Sequence, residues 1–422
     1  MRSHPRRAAV SRALSPGVSS AFDIRIRRQA LSPLWCAFVS LAAVFGSAEN
    51  RASAVLATGY TGVVLFQLQD SHGFVVSGQQ PFYTQAAAGG QVVGQDTTNQ
   101  GLALLWPGQS TSTNLNPQNF YSSTAYASNG GVQVGIASLT SGGVSHALMW
   151  SGTSASAVDL NPSGYSASAA LGNDTSNQVG FGSIGSNSHA LLWSGTSSAV
   201  DLNPTNLSGY ADSFAQSVSG NQQVGYGYGT ATDFNNSALL WTGNANTAVD
   251  LNPASLLGSV SGDESEALGT NGNQQVGWGS GSLTNSRAHA LLWTGTAASA
   301  KDLNPTDLSG IVNSFAISTN GTTQVGWGAG VSNDWQALAW NGSGGSAINL
   351  NSLLPVGITS SFAYSINASG DIYGVGTDTA GSSYAVEWTT SAVPEPAWLS
   401  FLTAGLMLLV RVRRAALAHG DG

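Results

Sequence analysis

The feature that most constrains this chain is a unit written seven times. A Leu-Leu-Trp phrase or a variant of it ends at Trp106, Trp150, Trp193, Trp241, Trp293, Trp340 and Trp388, at intervals of 43 to 52 residues. A Gln-Val-Gly phrase or its variant precedes each one, with glycines at Gly94, Gly135, Gly180, Gly225, Gly277, Gly326 and Gly374. Repetition at this period marks a supersecondary unit that buries its apolar faces only against copies of itself. One copy, from Ser213, reads "SFAQSVSG", "QQVGYGYG", a polar loop, "SALLWTG" and "TAVDLNP". Each apolar piece is short and ends at Gly, Asn or Pro, and none carries a helical stripe, so four strands are predicted per unit. That is the pattern of a propeller blade. The predicted fold class is all-β: a seven-bladed β-propeller of four-stranded blades over residues 55–390. A parallel β-solenoid is the rival, but solenoid coils repeat at shorter periods.

The phrase "AVDLNP" at Ala199–Pro204 recurs at Ala248–Pro253 and, varied, with ends at Pro117, Pro162, Pro305 and Ser352. "AVDL" reads as the outermost strand of a blade. "NP" stops it, because Asn starts turns and Pro offers no ladder donor. The seventh unit lacks this phrase. Two strand-like pieces precede the first unit, "GVVLFQLQ" (Gly62–Gln69) and "GFVVSG" (Gly73–Gly78). One of them is expected to pair with the last blade and close the ring, which leaves only short edges.

Charged residues make up 8% of the chain, yet 42% is hydrophobic, which is too apolar for a disordered chain. Within the body only Arg287 and Lys301 are basic, against 17 acidic residues. A surface this poor in Lys and Arg cannot follow a phosphate backbone, so nucleic acid is excluded as a partner. The single cysteine, Cys36, lies in the leader, so no disulfide is expected in the body.

Both ends read as addresses. "LWCAFVSLAAVF" (Leu34–Phe45) follows Arg25, Arg27 and Arg28 and precedes "ASA" (Ala52–Ala54). That is the layout of a secretory signal peptide, assigned to residues 1–54. At the other end, Ala397–Val410 is an uncharged apolar run followed by Arg411, Arg413 and Arg414. Fourteen residues of helix reach about 21 Å, a marginal membrane span whose basic flank fits the cytoplasmic side. "VPEP" (Val393, Pro394, Glu395, Pro396), an apolar helix and "RVRR" together resemble the PEP-CTERM sorting signal of Gram-negative bacteria that make exopolysaccharide. The resemblance covers residues 391–422 and implies processing by an exosortase-like enzyme. It also implies an exported protein, at the cell surface or extracellular, tethered transiently through the helix at 397–410. The repeat unit is similar to the HAF-type extracellular repeat through "HALMW", "HALLW" and "HALLW" at His146, His189 and His289. That implies a propeller-like surface protein and no defined activity.

Four sets of residues are candidates for function. The seven tryptophans could stack on sugars, but each shares a strand face with an apolar residue, so core packing is expected. The slot of the three histidines holds Leu102, Ser237, Gln336 and Tyr384 in other units, which points to structure. Asp159, Asp201, Asp250 and Asp302 offer the oxygen ligands that Ca²⁺ takes. Each stands one blade from the next, though, so turn hydrogen bonding is expected and no cofactor or metal is called for. The residue after Val-Gly is aromatic in four consecutive units, Phe181, Tyr226, Trp278 and Trp327. If exposed, that arc would be a platform for glycan; if buried, it would be core between blades. The acidic group Asp263, Glu264 and Glu266 lies in the longest interval and reads as a solvated loop.

The functional expectation is a non-catalytic, monomeric repeat scaffold that recognises exopolysaccharide or another envelope protein. The alternative is a polysaccharide lyase or hydrolase on the same scaffold. An active site of that kind would have to break the repeat.

Overall fold

Blade four shows how the unit folds. Its strands are Asp212–Ser219, Gln222–Tyr228, Ser237–Trp241 and Val249–Asp250, paired in that order and antiparallel throughout. Gly220 turns the first hairpin with φ +59°, a conformation that glycine adopts without strain. The Val-Gly glycine is required for another reason. A Cβ on Gly225 would lie 1.9 Å from the carbonyl oxygen of Phe214, and Gly135, Gly180, Gly277 and Gly326 face the same obstacle. Beside it the first strand carries a bulge, between Ala215 and Ser217, repeated at the same place in every blade from the second to the seventh.

A computed structural model describes residues 54–55, 59–69, 85–87, 91–96, 101–258, 262–330 and 334–390. They form seven antiparallel sheets, which is a seven-bladed, all-β propeller and not a solenoid of parallel coils. Blades two to six each take four consecutive strands from one repeat. The first strands stand side by side around the centre, and Ile358–Ile366 of blade seven lies against Gln85–Ala87 of blade one. Blade seven has strands Ile358–Ile366, Ile372–Asp378 and Ser383–Thr390, and its fourth strand comes from the other end of the described chain. Tyr60–Gln67 pairs antiparallel with Ser383–Thr390, and Ala54–Val55 adds a short fifth strand. The expected closing strand is therefore the "GVVLFQLQ" piece; "GFVVSG" lies outside the described residues.

The repeated phrase joins each blade to the next. Its leucine is fully buried in every copy, from Leu115 to Leu350. Its asparagine accepts a hydrogen bond from a serine on the first strand of the following blade: Ser168 to Asn161 at 2.6 Å, and Ser213 to Asn203, Ser265 to Asn252 and Ser314 to Asn304 at 2.8 Å. The same serine oxygens accept a backbone N–H from the third strand of the preceding blade, as Ala190 gives to Ser213 at 3.0 Å. These are satisfied polar clamps inside an otherwise apolar interface. The seven tryptophans fill the space between blades, each 0–1% exposed.

Antiparallel alternation gives the disc two distinct ends. One carries the turns between first and second strands. The other carries the loops between second and third strands and the links from blade to blade. Tyr60 and Thr390 face each other in register, so the described chain enters and leaves on the hairpin end. Among the described residues no helix is long and apolar enough to cross a membrane. The expected signal peptide, the sorting-signal residues and the apolar helix at 397–410 lie outside them.

Gly225→Ala is expected to lower the urea unfolding free energy by at least about 2 kcal/mol, because the backbone of Phe214 must move to admit the methyl group. An unchanged midpoint would show that the bulge absorbs it.

Candidate functional site

The candidate residues fall into two groups, those that hold the blades and one that interrupts the pattern. The aspartates of the repeated phrase hold turns: Asp159, Asp201 and Asp250 each accept the N–H of the asparagine two residues on at 2.8 Å, and Asp302 does so at 2.7 Å. Their second oxygens meet the histidines across the strand pair, His146 to Asp159 and His189 to Asp201 at 2.7 Å, His289 to Asp302 at 2.8 Å. In blade four Ser237 donates to Asp250 at 2.8 Å, and in blade six Asn349 and Gln336 pair in the same slot. One position filled by His–Asp, Ser–Asp and Gln–Asn pairs is a cross-strand tie. Among the described residues no three His, Cys, Asp or Glu side chains gather as metal ligands.

The aromatic arc does not form an open platform. Phe181, Tyr226, Trp278 and Trp327 are 4–7% exposed. Each sits on the second strand of its blade and packs on rings of the first strands. Phe214 lies 4.7 Å from Phe181 and 5.0 Å from Tyr226, Phe315 lies 5.6 Å from Trp278 and 6.3 Å from Trp327, and Phe362 lies 5.4 Å from Trp327, centroid to centroid. These distances are those of ordinary aromatic pairs, and the arc works as a wedge between blades.

The interruption is Glu266. The first-strand residue that pairs with the one after Val-Gly is Thr124, Ala169, Phe214, Phe315 and Phe362 in blades two, three, four, six and seven, and in blade five it is Glu266, paired with Trp278. This revises the reading of Asp263, Glu264 and Glu266 as a solvated loop: Glu264–Thr270 is the first strand of blade five, and Glu266 is 5% exposed. Alternation along the strand places Glu264 on the same face as Glu266. Asn236, from the loop of blade four, donates to Glu266 Oε1 at 2.7 Å, and Trp278 Nε1 donates to Oε2 at 3.3 Å. Ser280 donates to Glu264 at 3.3 Å. Burial pushes the Glu266 carboxyl up to about 7; the bonds from Asn236 and Trp278 pull it down, and the neighbouring Glu264 adds to the rise. Burial, with the charge of Glu266 next, also lifts the Tyr226 phenol well above its usual range. A carboxyl at this balance can give or take a proton at neutral pH. The signal was in the sequence: three units read Ser-Phe-Ala where blade five reads Ser265-Glu266-Ala267.

No family model and no curated protein matches the chain. Solved structures are similar to it. The β-propeller domain of the Trilobed protease from Pyrococcus furiosus matches at TM-score 0.47 and 8% identity, over 74% of this chain and 99% of that one. A puromycin-hydrolyzing peptidase of Mycobacterium tuberculosis matches at TM-score 0.46 and 11% identity, over 74% of this chain and 53% of that one. A putative TolB from Agrobacterium tumefaciens matches at TM-score 0.38 and 12% identity, over 63% and 90%. The chain thus spans about half the length of the whole mycobacterial peptidase. The likeness is one of fold. The expectation of a non-catalytic scaffold is corrected to this extent: similar solved propellers are parts of peptidases. The arc on which glycan recognition was to rest is packed between blades.

The pKa of Glu266 in the folded chain, about 7, lies above its ordinary 4.5. Between those values the folded state holds a proton that the unfolded chain has lost. The stability Glu266 contributes is therefore full below pH 4.5 and is lost as pH rises through 7. Relative to Glu266→Gln, the native chain should lose about 3 kcal/mol of unfolding free energy between pH 4 and pH 8. Parallel pH profiles for the two proteins would refute the shift.

Proposed function

We propose that this protein is exported and held at the cell surface by its tail, and that it carries an acid–base centre at Glu266 on the propeller end turned away from that tail. One observation carries the reading: a buried carboxyl stands where the equivalent positions of blades four, six and seven hold phenylalanine. Phenylalanine there would pack without cost, whereas a carboxyl held near neutrality lowers stability at physiological pH. A residue that breaks the local rule at such a cost marks a functional position. Export rests on the signal-peptide layout of residues 1–54 and on the likeness of 391–422 to PEP-CTERM tails, which an exosortase-like enzyme would process.

Topology supports the orientation. The described chain leaves at Thr390 on the hairpin end, so a tether that follows it holds that end toward the membrane. Glu266 lies near the start of a first strand, close to the opposite end. There the carboxyl acts as proton donor in its neutral form and as proton acceptor once ionised. Asn236 and Trp278 hold its two oxygens in place, and the surrounding rings limit water.

The test is turnover of an amide and ester panel from pH 5 to 9 by the native chain, Glu266→Gln and Glu266→Phe. The expected result is hydrolysis with an inflection near pH 7 that falls at least about 100-fold in both variants, the size of a general acid–base contribution. Equal turnover in all three, or none in any, would overturn the acid–base assignment.

A further inference from the structure

The acidic residues of the propeller are segregated. Apart from Asp174 and Asp371 at the hairpin end and Glu387 at mid-strand, every acidic residue described lies at or toward the loop end; the only Arg or Lys described there is Arg287, and His146, His189 and His289 stand against Asp159, Asp201 and Asp302. They are spread from blade to blade, and no three of them gather around a point. A dispersed negative face suits an extended cation and not a single ion.

The same end exposes apolar side chains on four consecutive blades. Leu139 and Val144 stand on the loop of blade two and Ile184 on that of blade three, while Phe234 of blade four and Leu283 of blade five are 67% and 64% exposed. Phe234 is held outward by backbone geometry. It follows the turn Thr230–Thr232 and has φ +61°, next to Asp233 at +50°. Its N–H bonds to Gly229 O at 2.8 Å, and Thr232 Oγ1 accepts from the Gly229 N–H at 3.1 Å. The loop of blade five repeats the turn with Asn285 at +55° and Ser286, in the place of Phe234, at +57°, while its exposed Leu283 lies within Ser282–Thr284. The left-handed region is unfavourable for a bulky residue. Here that strain presents a phenyl ring to solvent, where it contributes nothing to the core.

We infer that the loop end is a docking face for a basic polypeptide whose Lys or Arg residues are interleaved with apolar ones. Charge complementarity selects the basic chain. Apolar tips set among the acids call for apolar side chains between its charges, which a polyamine or a free cation lacks. An anionic lipid surface would be repelled by this end. The face is independent of proton transfer at Glu266, so either reading can fail alone.

The test uses the purified full chain and two fluorescein-labelled peptides of equal charge, one alternating Lys and Leu and one of Lys alone. Anisotropy at near-physiological salt should show saturable binding of the Lys–Leu peptide, weaker for the Lys peptide. Phe234→Ser with Leu283→Ser should raise its Kd about tenfold, as should Asp233→Lys with Asp334→Lys, two sites exposed at this end. Asp174→Lys, at the opposite end, should leave it unchanged. The inference is overturned if both peptides bind alike, if Asp174→Lys weakens binding as much as the loop-end changes do, if the native chain binds neither, or if millimolar Ca²⁺ alone saturates the site and expels the peptide.

Discussion

A blade of four short strands has two apolar faces and no way to bury either alone, so everything in this molecule depends on closing the ring. Closure is made by one strand pair, Tyr60–Gln67 against Ser383–Thr390. Without it blade seven would end in an open edge, and its buried Trp388 and Val386 would lose part of their cover. With it each blade has a neighbour on both sides, and the serine–asparagine clamps of Asn161, Asn203, Asn252 and Asn304 tie blades two to six together. The clamps fix the order in which polar and apolar contacts alternate between blades. That is why the same six-residue phrase must recur with its leucine and asparagine intact, while its third residue can vary between Asp and Asn.

Closure also explains where function can reside. Positions that face a neighbouring blade are held by packing, and in most units the wedge near the centre is built from rings. Blade five departs from this at Glu266. A carboxyl pressed between Trp278 and Asn236 cannot be understood as packing, since phenylalanine fills the equivalent place in three other blades. The His–Asp pairs look more like catalytic chemistry at first sight, yet they recur on the rims of several blades and are exchanged for Ser–Asp and Gln–Asn pairs. Repetition with substitution argues for structure; a carboxyl buried at a position that holds Thr, Ala or Phe in five other blades argues for a site.

The two ends of the disc divide the remaining roles. The hairpin end receives and releases the chain and holds little charge. The loop end gathers the acids, the strained turns and the exposed apolar tips. The phrase aspartates hold turns and strand pairs, whereas the exposed tips and Asp233 and Asp334 stand in solvent and are compatible with contact to something outside the ring. The fold likeness to propellers of peptidases adds no residue to this picture, because it rests on the course of the chain alone.

Much of the fold was legible in the residues. The tryptophan period, the Gln-Val-Gly phrase and the Gly, Asn and Pro stops named seven blades of four strands, because hydrogen-bonded pairing and burial leave periodic marks. The missing phrase in the seventh unit and the spare "GVVLFQLQ" together pointed to the closing strand. The exchange of Phe for Glu266 was also on the page, but burial is a property of three-dimensional neighbours, and an acidic group surrounded by Ser and Gly reads as solvated until Asn236 and Trp278 are seen against it. The aromatic arc was visible as a pattern, whereas its exposure was not, because that depended on whether Phe214, Phe315 and Phe362 covered it. Sequence by itself determined the architecture, since architecture follows from local period and turn chemistry. Only the tertiary structure decided which side chains meet solvent and which end of the disc carries charge, since those depend on contacts between residues one blade, and often some forty positions, apart.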